Sequence, residues 1–270
     1  MQAVLLGAVQ GVAEFLPVSS SGHLALLENF WGIKPAGLGF EVTLHLGSLI
    51  AVLIFFRHDI VRLLAALFNS RQARLHELRE EKQLALGIAI ACIPTSIGGL
   101  VLQSSVEKAF ASIRWVGVGF LVGGMIMLAA SLFSESFALC HRQKAVPSSC
   151  EALWVGLCQC IALFPGVSRS GSTISACLFE GLAPEAAARF SFLLSIPVVA
   201  GAGALNVLQL MKGRGGEMVP LSLLVLGFMA SMVTSYLSVA ALLAWLKKRR
   251  LVPFAAYCFA IGLIALCFGR

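Results

Sequence analysis

The chain has 270 residues, of which 59% are apolar and 12% charged, with a mean hydropathy of +0.91. Soluble domains are about 45–50% apolar with glycine counted and about 25% charged, so a disordered tail, a disulfide-stapled secreted module and a water-soluble enzyme are excluded. The net charge of +7 does not point to nucleic acid, because the Lys and Arg residues sit in short stretches between apolar runs. The class is an all-α polytopic membrane protein.

In chain order, the first apolar segment, Gln2–Leu27, is interrupted at Pro17-Val-Ser-Ser-Ser-Gly22. Each half is too short for the ~20 residues that a crossing requires, and the interruption is rich in helix breakers. Non-helical backbone at membrane depth is tolerated only inside protein or beside a wet cavity. The segment therefore reads as a re-entrant helix hairpin. The first thirteen residues lack the basic region of a cleavable signal. Ala36–Phe56 is long enough to cross although it carries Glu41 and His45. Further spans are expected at Gln83–Val106, Trp115–Ser134, Phe190–Met211, Met218–Leu246 and Leu251–Gly269. Glu151–Phe179, broken at Pro165-Gly-Val-Ser-Arg-Ser-Gly171, forms the second hairpin. The expected fold is six transmembrane helices plus two re-entrant hairpins in a single membrane domain.

Basic residues set the expected orientation. Arg57, Arg62, Arg71, Arg74, Arg79 and Lys82 fill one connection, and Lys247-Lys-Arg-Arg250 fills another. With six crossings both fall on the side of Arg142 and Lys144, which the positive-inside rule makes cytoplasmic. Both termini then lie outside. Trp115, Trp154 and Trp245 suit interfacial anchoring, and His58, His76 and His141 fall in connections without a functional signal. The eight cysteines (Cys92, Cys140, Cys150, Cys158, Cys160, Cys177, Cys258 and Cys267) lie mostly in apolar runs, where a thiol behaves as a small hydrophobe. Cys158 and Cys160 have no second Cys/His pair at zinc spacing.

The two broken segments resemble each other. Gln10-Gly-Val-Ala-Glu14-Phe-Leu-Pro17 and Gln159-Cys-Ile-Ala-Leu163-Phe-Pro165 both lead into a Ser-rich turn closed by Ser-Gly, at Ser21-Gly22 and Ser170-Gly171. A Phe opens the following span in each, Phe40-Glu-Val-Thr-Leu-His-Leu-Gly and Phe190-Ser-Phe-Leu-Leu-Ser-Ile-Pro. Each half then holds one hairpin and three crossings: repeat 1 over about 1–134 and repeat 2 over about 151–270, joined by a cytoplasmic linker 135–150. Three is odd, so the copies have inverted topology, an architecture that places its site near the midplane where broken helices meet.

Glu14 and Arg169 lie within the interruptions, and a charge at that depth costs about 2.5–3.5 kcal/mol on insertion scales. They are expected to face each other or a polar ligand. Gln10 stands one turn before Glu14, His23 follows Ser19-Ser-Ser-Gly22, and Glu41 and His45 are four apart. The loop Pro165–Thr173 is composed to converge backbone N–H groups ahead of a helix N-terminus, and Arg169 brings a planar fork suited to phosphate. Two such loops meeting would hold one phosphate or two linked ones. Ser168, Ser170 and Thr173 equally suit helix capping.

Gln10-x-x-x-Glu14-Phe-Leu-Pro-Val-Ser-Ser-Ser-Gly-His23 resembles the (Glu/Gln)-x-x-x-Glu motif and Ser-rich loop of undecaprenyl-diphosphatases, the bacterial bacitracin-resistance proteins. Pro165-Gly-Val-Ser-Arg-Ser-Gly171 resembles their second signature, and similarity extends over essentially the whole chain. Many members carry Glu where this chain has Gln10, which puts more weight on Glu14. The resemblance implies hydrolysis of undecaprenyl diphosphate to the monophosphate and inorganic phosphate, recycling the carrier lipid for cell-wall synthesis. It also implies a divalent cation, Mg²⁺ or Ca²⁺, on Glu14 and Gln10, with Glu41 as a third candidate. Glu14, Ser20, His23 and Arg169 would be catalytic, with Ser20 preferred over His23 as nucleophile and His23 assisting it. Ser19, Ser21, Gly22, Ser168, Arg169, Ser170, Gly171 and Thr173 would bind the phosphates. The implied location is the bacterial inner (plasma) membrane, with the site opening to the periplasmic side; the partners are the lipid and the bilayer, and a homodimer is compatible. The rival reading is a lipid-phosphate flippase or secondary transporter built on the same inverted repeat.

Overall fold

The computed structural model describes residues 1–32, 37–68, 79–140, 143–212, 219–247 and 250–269. The expected topology markers Arg71, Arg74, Arg142, Lys248 and Arg249, together with His76 and His141 and the expected span starts Ala36 and Met218, lie outside the described residues. Those residues form twelve helices and no strand: α1 Gln2–Phe15, α2 Ser20–Trp31, α3 Leu38–Phe55, α4 Arg57–Phe68, α5 Arg79–Val101, α6 Gln103–Phe110, α7 Ile113–Cys140, α8 Ser149–Ile161, α9 Arg169–Phe179, α10 Pro184–Met211, α11 Leu221–Leu246 and α12 Val252–Phe268. The protein is an all-α, multi-pass membrane protein.

Four helices (α5, α7, α10 and α11) are long and apolar enough to cross a bilayer, or five when the bent pair α3–α4 is read as one span. The α12 helix is apolar and has 17 residues. The chain turns by 74° between α3 and α4, so the basic connection expected after Arg57 begins with a helix. Its apolar side buries Leu63 and Ala66. The α7 helix runs to Cys140, six residues into the stretch expected as linker. Further along, Lys144 exchanges backbone hydrogen bonds with Gly181 and Ala183. Ser148 and Glu151 then close a capping box on α8.

The two hairpins break where their residue types require it. After 14 residues α1 ends at Leu16, whose extended conformation is the one favoured before Pro17. At ~1.5 Å per residue such a helix is about 21 Å long, short of the ~30 Å hydrocarbon core. The α8 helix stops at Ile161 after 13 residues, and the loop to α9 turns at Gly166, φ +86°. A Cβ there would lie 2.1 Å from the carbonyl oxygen of Val116, so both the dihedral and the space require glycine.

Packing between helices is reciprocal. The α1 helix lies along α11 and α8 along α5; α3 also packs on α11 and α10 on α5. In lipid, where tails are as apolar as leucine, close packing and interhelical hydrogen bonds drive such contacts. Gly7 accordingly sits against the backbone of Gly227, where a Cβ would meet its oxygen at 2.4 Å. Ser48, Ser231 and Ser235 join α3 to α11 through hydroxyl contacts of 2.9 Å. The Ser-, Thr- and Ala-rich α9 is buried from Ser170 to Leu178, packed among α7, α8 and α10. Phe120, Met127, Ile174, Phe190 and Leu194 fill the fully buried core beside it.

Candidate active site

The two loops that interrupt the hairpins touch. Ser170, in the first turn of α9, donates from its hydroxyl to the carbonyl oxygen of Leu16 at 3.2 Å. Gly22 lies so close to Gly166 that a Cβ on it would stand 3.0 Å from the Gly166 Cα. Each loop closes on itself in the same way: the Gly22 amide donates to Ser19 Oγ (3.3 Å) and the Gly171 amide donates to Ser168 Oγ (3.1 Å). Both satisfy a donor of the helix that follows.

Glu14 is at the centre of the junction. Its Oε1 accepts from Arg169 Nη2 at 2.7 Å, and its Oε2 accepts from Ser20 Oγ at 2.7 Å and from Gln10 Nε2 at 2.9 Å. Gln10 Nε2 also donates to His45 Nδ1 at 3.0 Å, which leaves that nitrogen 3.9 Å from Glu14 Oε2. The Glu14 and Arg169 side chains retain only 8% and 14% exposure, so each neutralises the other where an unpaired charge would be very costly. Phe15 stacks under the guanidinium at 5.9 Å.

Two buried polar atoms of the cluster have no partner among the described residues: Arg169 Nη1 and Gln10 Oε1. They are a donor of a cation and an acceptor. A cavity of about 150 Å³ is lined by Glu14, Ser19, Ser20, Ser21 and His45 from the first half of the chain and by Ser168 and Arg169 from the second. Ala13 lines both this cavity and a larger apolar groove of about 590 Å³ that runs past Val9, Val12, Leu16 and Phe254. A polar pocket thus adjoins an apolar channel, which suits an amphiphile with an anionic head.

The expected site residues distribute as follows. Gln10, Glu14, Ser20 and Arg169 come together in one hydrogen-bonded cluster, and Ser19, Ser21 and Ser168 line its cavity. Gly22 and Gly171 serve the loop caps just described. Thr173 is fully buried and bonds to Ser191 Oγ at 2.6 Å, away from the cavity. Glu41, one turn before His45, is not among the cavity-lining residues. His23 lines the apolar groove; its Nδ1 meets the carbonyl oxygen of Ser19 and its Nε2 the hydroxyl of Tyr257, each at 2.7 Å.

Two residues had no assigned part in the sequence. His45 reads there as a packing partner of Glu41, and its polar position on an otherwise apolar span was the available signal. Tyr257 carries no sequence signal at all, since a lone tyrosine in a terminal apolar helix is ordinary. Among the described residues no group of three or more His, Cys, Asp or Glu side chains gathers as a ready-made metal site.

The family model of bacitracin resistance protein BacA matches residues 3–264. The chain is similar to the undecaprenyl-diphosphatase of Methanosphaera stadtmanae, with 39% identity over 98% of this chain and 96% of that protein. It is 41% identical to the undecaprenyl-diphosphatase of Rubrobacter xylanophilus, covering 97% of this chain and 95% of the relative. Undecaprenyl-diphosphatase 1 of Shouchella clausii is 33% identical over 99% and 96%.

Proposed function

The chain belongs to the bacitracin resistance protein BacA family, and from that membership we propose that it is an integral membrane phosphatase hydrolysing undecaprenyl diphosphate to undecaprenyl phosphate and inorganic phosphate. The observation that carries this reading is the contact of a serine hydroxyl, a carboxylate and a guanidinium with a spare donor around one small cavity. The terminal phosphate lies against Arg169, whose Nη1, without a partner among the described residues, is left as the spare donor while Nη2 keeps its hold on Glu14. The positive end of the α9 dipole, at Ser168 and Arg169, adds to that field. The prenyl tail follows the apolar groove from Ala13 past Leu16 towards Phe254.

Ser20 is the proposed nucleophile. Its hydroxyl already donates to Glu14 Oε2 at 2.7 Å, so as Ser20 Oγ bonds to the terminal phosphorus its proton passes to Glu14. The bond from that phosphorus to the bridging oxygen breaks, and undecaprenyl phosphate leaves with the bonding pair. Water then hydrolyses the phosphoserine to inorganic phosphate, with Glu14 returning the proton to Ser20. Arg169 offsets the charge that builds on the transferring group.

A divalent cation, Mg²⁺ or Ca²⁺, is part of the proposal. The donor set suits a hard ion: the Glu14 carboxylate and the Ser20 hydroxyl are in contact, and Gln10, bonded to Glu14 through Nε2, keeps a buried carbonyl oxygen without a partner among the described residues. Bound there, the cation would supply charge neutralisation to the diphosphate.

The exchange of packing partners, α1 on α11 and α8 on α5, supports an inverted-repeat reading with halves about 1–134 and 151–270. We place the enzyme in the inner (plasma) membrane, with its site opening to the periplasmic side where spent carrier is released. A flippase or transporter would need an anion pocket but has no use for a hydroxyl poised on a carboxylate. Phosphate release from a prenyl diphosphate in detergent micelles, where transport has no meaning, tests the assignment. No release with Mg²⁺ or Ca²⁺ present would refute it.

A further inference from the structure

The loop that presents Ser20 contains a strained residue. Ser19 has φ +66° and is the only non-glycine residue with positive φ among those described. For a residue with a Cβ this region costs on the order of 1–2 kcal/mol, so surrounding contacts must hold it. Those contacts converge on the Ser19 carbonyl oxygen, which accepts from the His23 backbone amide at 3.2 Å and contacts His23 Nδ1 at 2.7 Å. A carbonyl oxygen only accepts, so Nδ1 carries the proton, and in the neutral ring Nε2 is an acceptor. The acceptor is met by the Tyr257 hydroxyl at 2.7 Å. Phe120 from α7 packs edge-on against the other side of the imidazole, 5.3 Å between centroids.

We propose that Tyr257, on the last helix of the chain, is a positioning residue: its hydroxyl fixes the ring and tautomer of His23 so that the imidazole pins the Ser19 carbonyl and aims Ser20 at Glu14. The inference deepens the phosphatase reading and rests on it for its kinetic part. Three links carry the constraint: Tyr257 to His23, His23 to the Ser19 peptide, and that peptide to Ser20. Each link is one hydrogen bond or one covalent step. Losing a single neutral hydrogen bond from such a brace corresponds to about a five- to tenfold loss in rate. Ring packing is preserved in Tyr257→Phe, which removes only the hydroxyl from the groove wall.

The test has two arms. In detergent-solubilised protein labelled with ¹⁵N-histidine, neutral His23 should show a protonated Nδ1 and an unprotonated Nε2, and Tyr257→Phe should move the Nε2 resonance. This arm requires no activity, so it separates the brace from the phosphatase reading. In the assay with a prenyl diphosphate, Tyr257→Phe should lower kcat about five- to tenfold and leave KM within about twofold, since no ground-state contact is lost. An Nε2–H tautomer in the wild-type protein overturns the proposal without any variant. So does wild-type kcat in Tyr257→Phe, or a loss expressed in KM alone. Should the phosphatase reading be wrong, every prenyl diphosphate would go unhydrolysed while the spectroscopic arm still gave its answer.

Discussion

Arg169 and Glu14 stand 155 positions apart in the chain, and their side chains meet at 2.7 Å inside the membrane domain. The contact joins the last turn of α1 to the first turn of α9 and leaves one guanidinium nitrogen with no partner among the described residues. The same pair therefore couples the two hairpins and prepares an anion site.

Glu14→Gln removes the charge that Arg169 answers while keeping the shape. Separating a buried pair costs roughly 3–5 kcal/mol, so thermal melting in detergent should fall clearly. Phosphate release should drop by about a hundredfold or more, because the acceptor for the Ser20 proton is gone. Added Mg²⁺ should not restore it. Wild-type turnover in this variant would remove Glu14 from the mechanism.

Arg169→Lys tests the fork separately from the charge. An ammonium cannot hold Glu14 and present a second, planar donor to phosphate. The expected loss is about a hundredfold in kcat/KM, within the range for deleting one oxyanion donor, with much less destabilisation than in Glu14→Gln. Unchanged kinetics would argue against a phosphate contact.

The nucleophile can be read from a trapped phosphoenzyme. An acid-stable phosphoserine is expected in the wild-type protein and in His23→Ala, and it should be absent from Ser20→Ala. An acid-labile adduct that disappears in His23→Ala and survives in Ser20→Ala would transfer the role to His23.

Chelation with EDTA should abolish phosphate release, and Mg²⁺ or Ca²⁺ should restore it. Gln10→Glu places a second carboxylate beside Glu14, so cation affinity should rise by about tenfold while the cation-free protein becomes less stable from like-charge repulsion. A titration of activity against cation concentration checks the first, and thermal melting in EDTA checks the second. An unchanged half-saturation point would place the cation elsewhere.

Gly166→Ala should destabilise the protein severely, by more than ~1 kcal/mol from the dihedral alone, since its Cβ would also collide with the Val116 carbonyl. Gly201→Ala, where nothing lies within 4 Å of an added Cβ, serves as the control and should melt like wild type. Equal melting temperatures for the two variants would contradict the loop geometry.

Much of this protein was legible along the chain because the bilayer imposes simple conditions. Length and continuity of the apolar runs set the helical class, and each break is marked by Pro, Gly and Ser clustered within a few residues, whereas the single prolines Pro94 and Pro197 stay inside crossing helices. A carboxylate just before the first break and a guanidinium in the second had to be paired or put to use, so Glu14 and Arg169 could be singled out by cost alone. Ser20, between the first break and its helix, followed from the same loop.

Other features came from contacts that local pattern does not encode. The 74° bend after Phe55 separates a basic amphipathic helix from the span before it, and a string of Arg residues reads equally well as a loop. His45 joins the cluster because α3 brings it to Gln10, a contact that its place four residues after Glu41 does not encode. His23 follows the Ser-rich loop directly, yet its ring turns away from Ser20 towards Tyr257, 234 positions on. Hydropathy and breakers act over one helix turn and are written in residue order. Which side chain meets which depends on how whole helices pack, and that is decided only when the distant halves of the chain are in place.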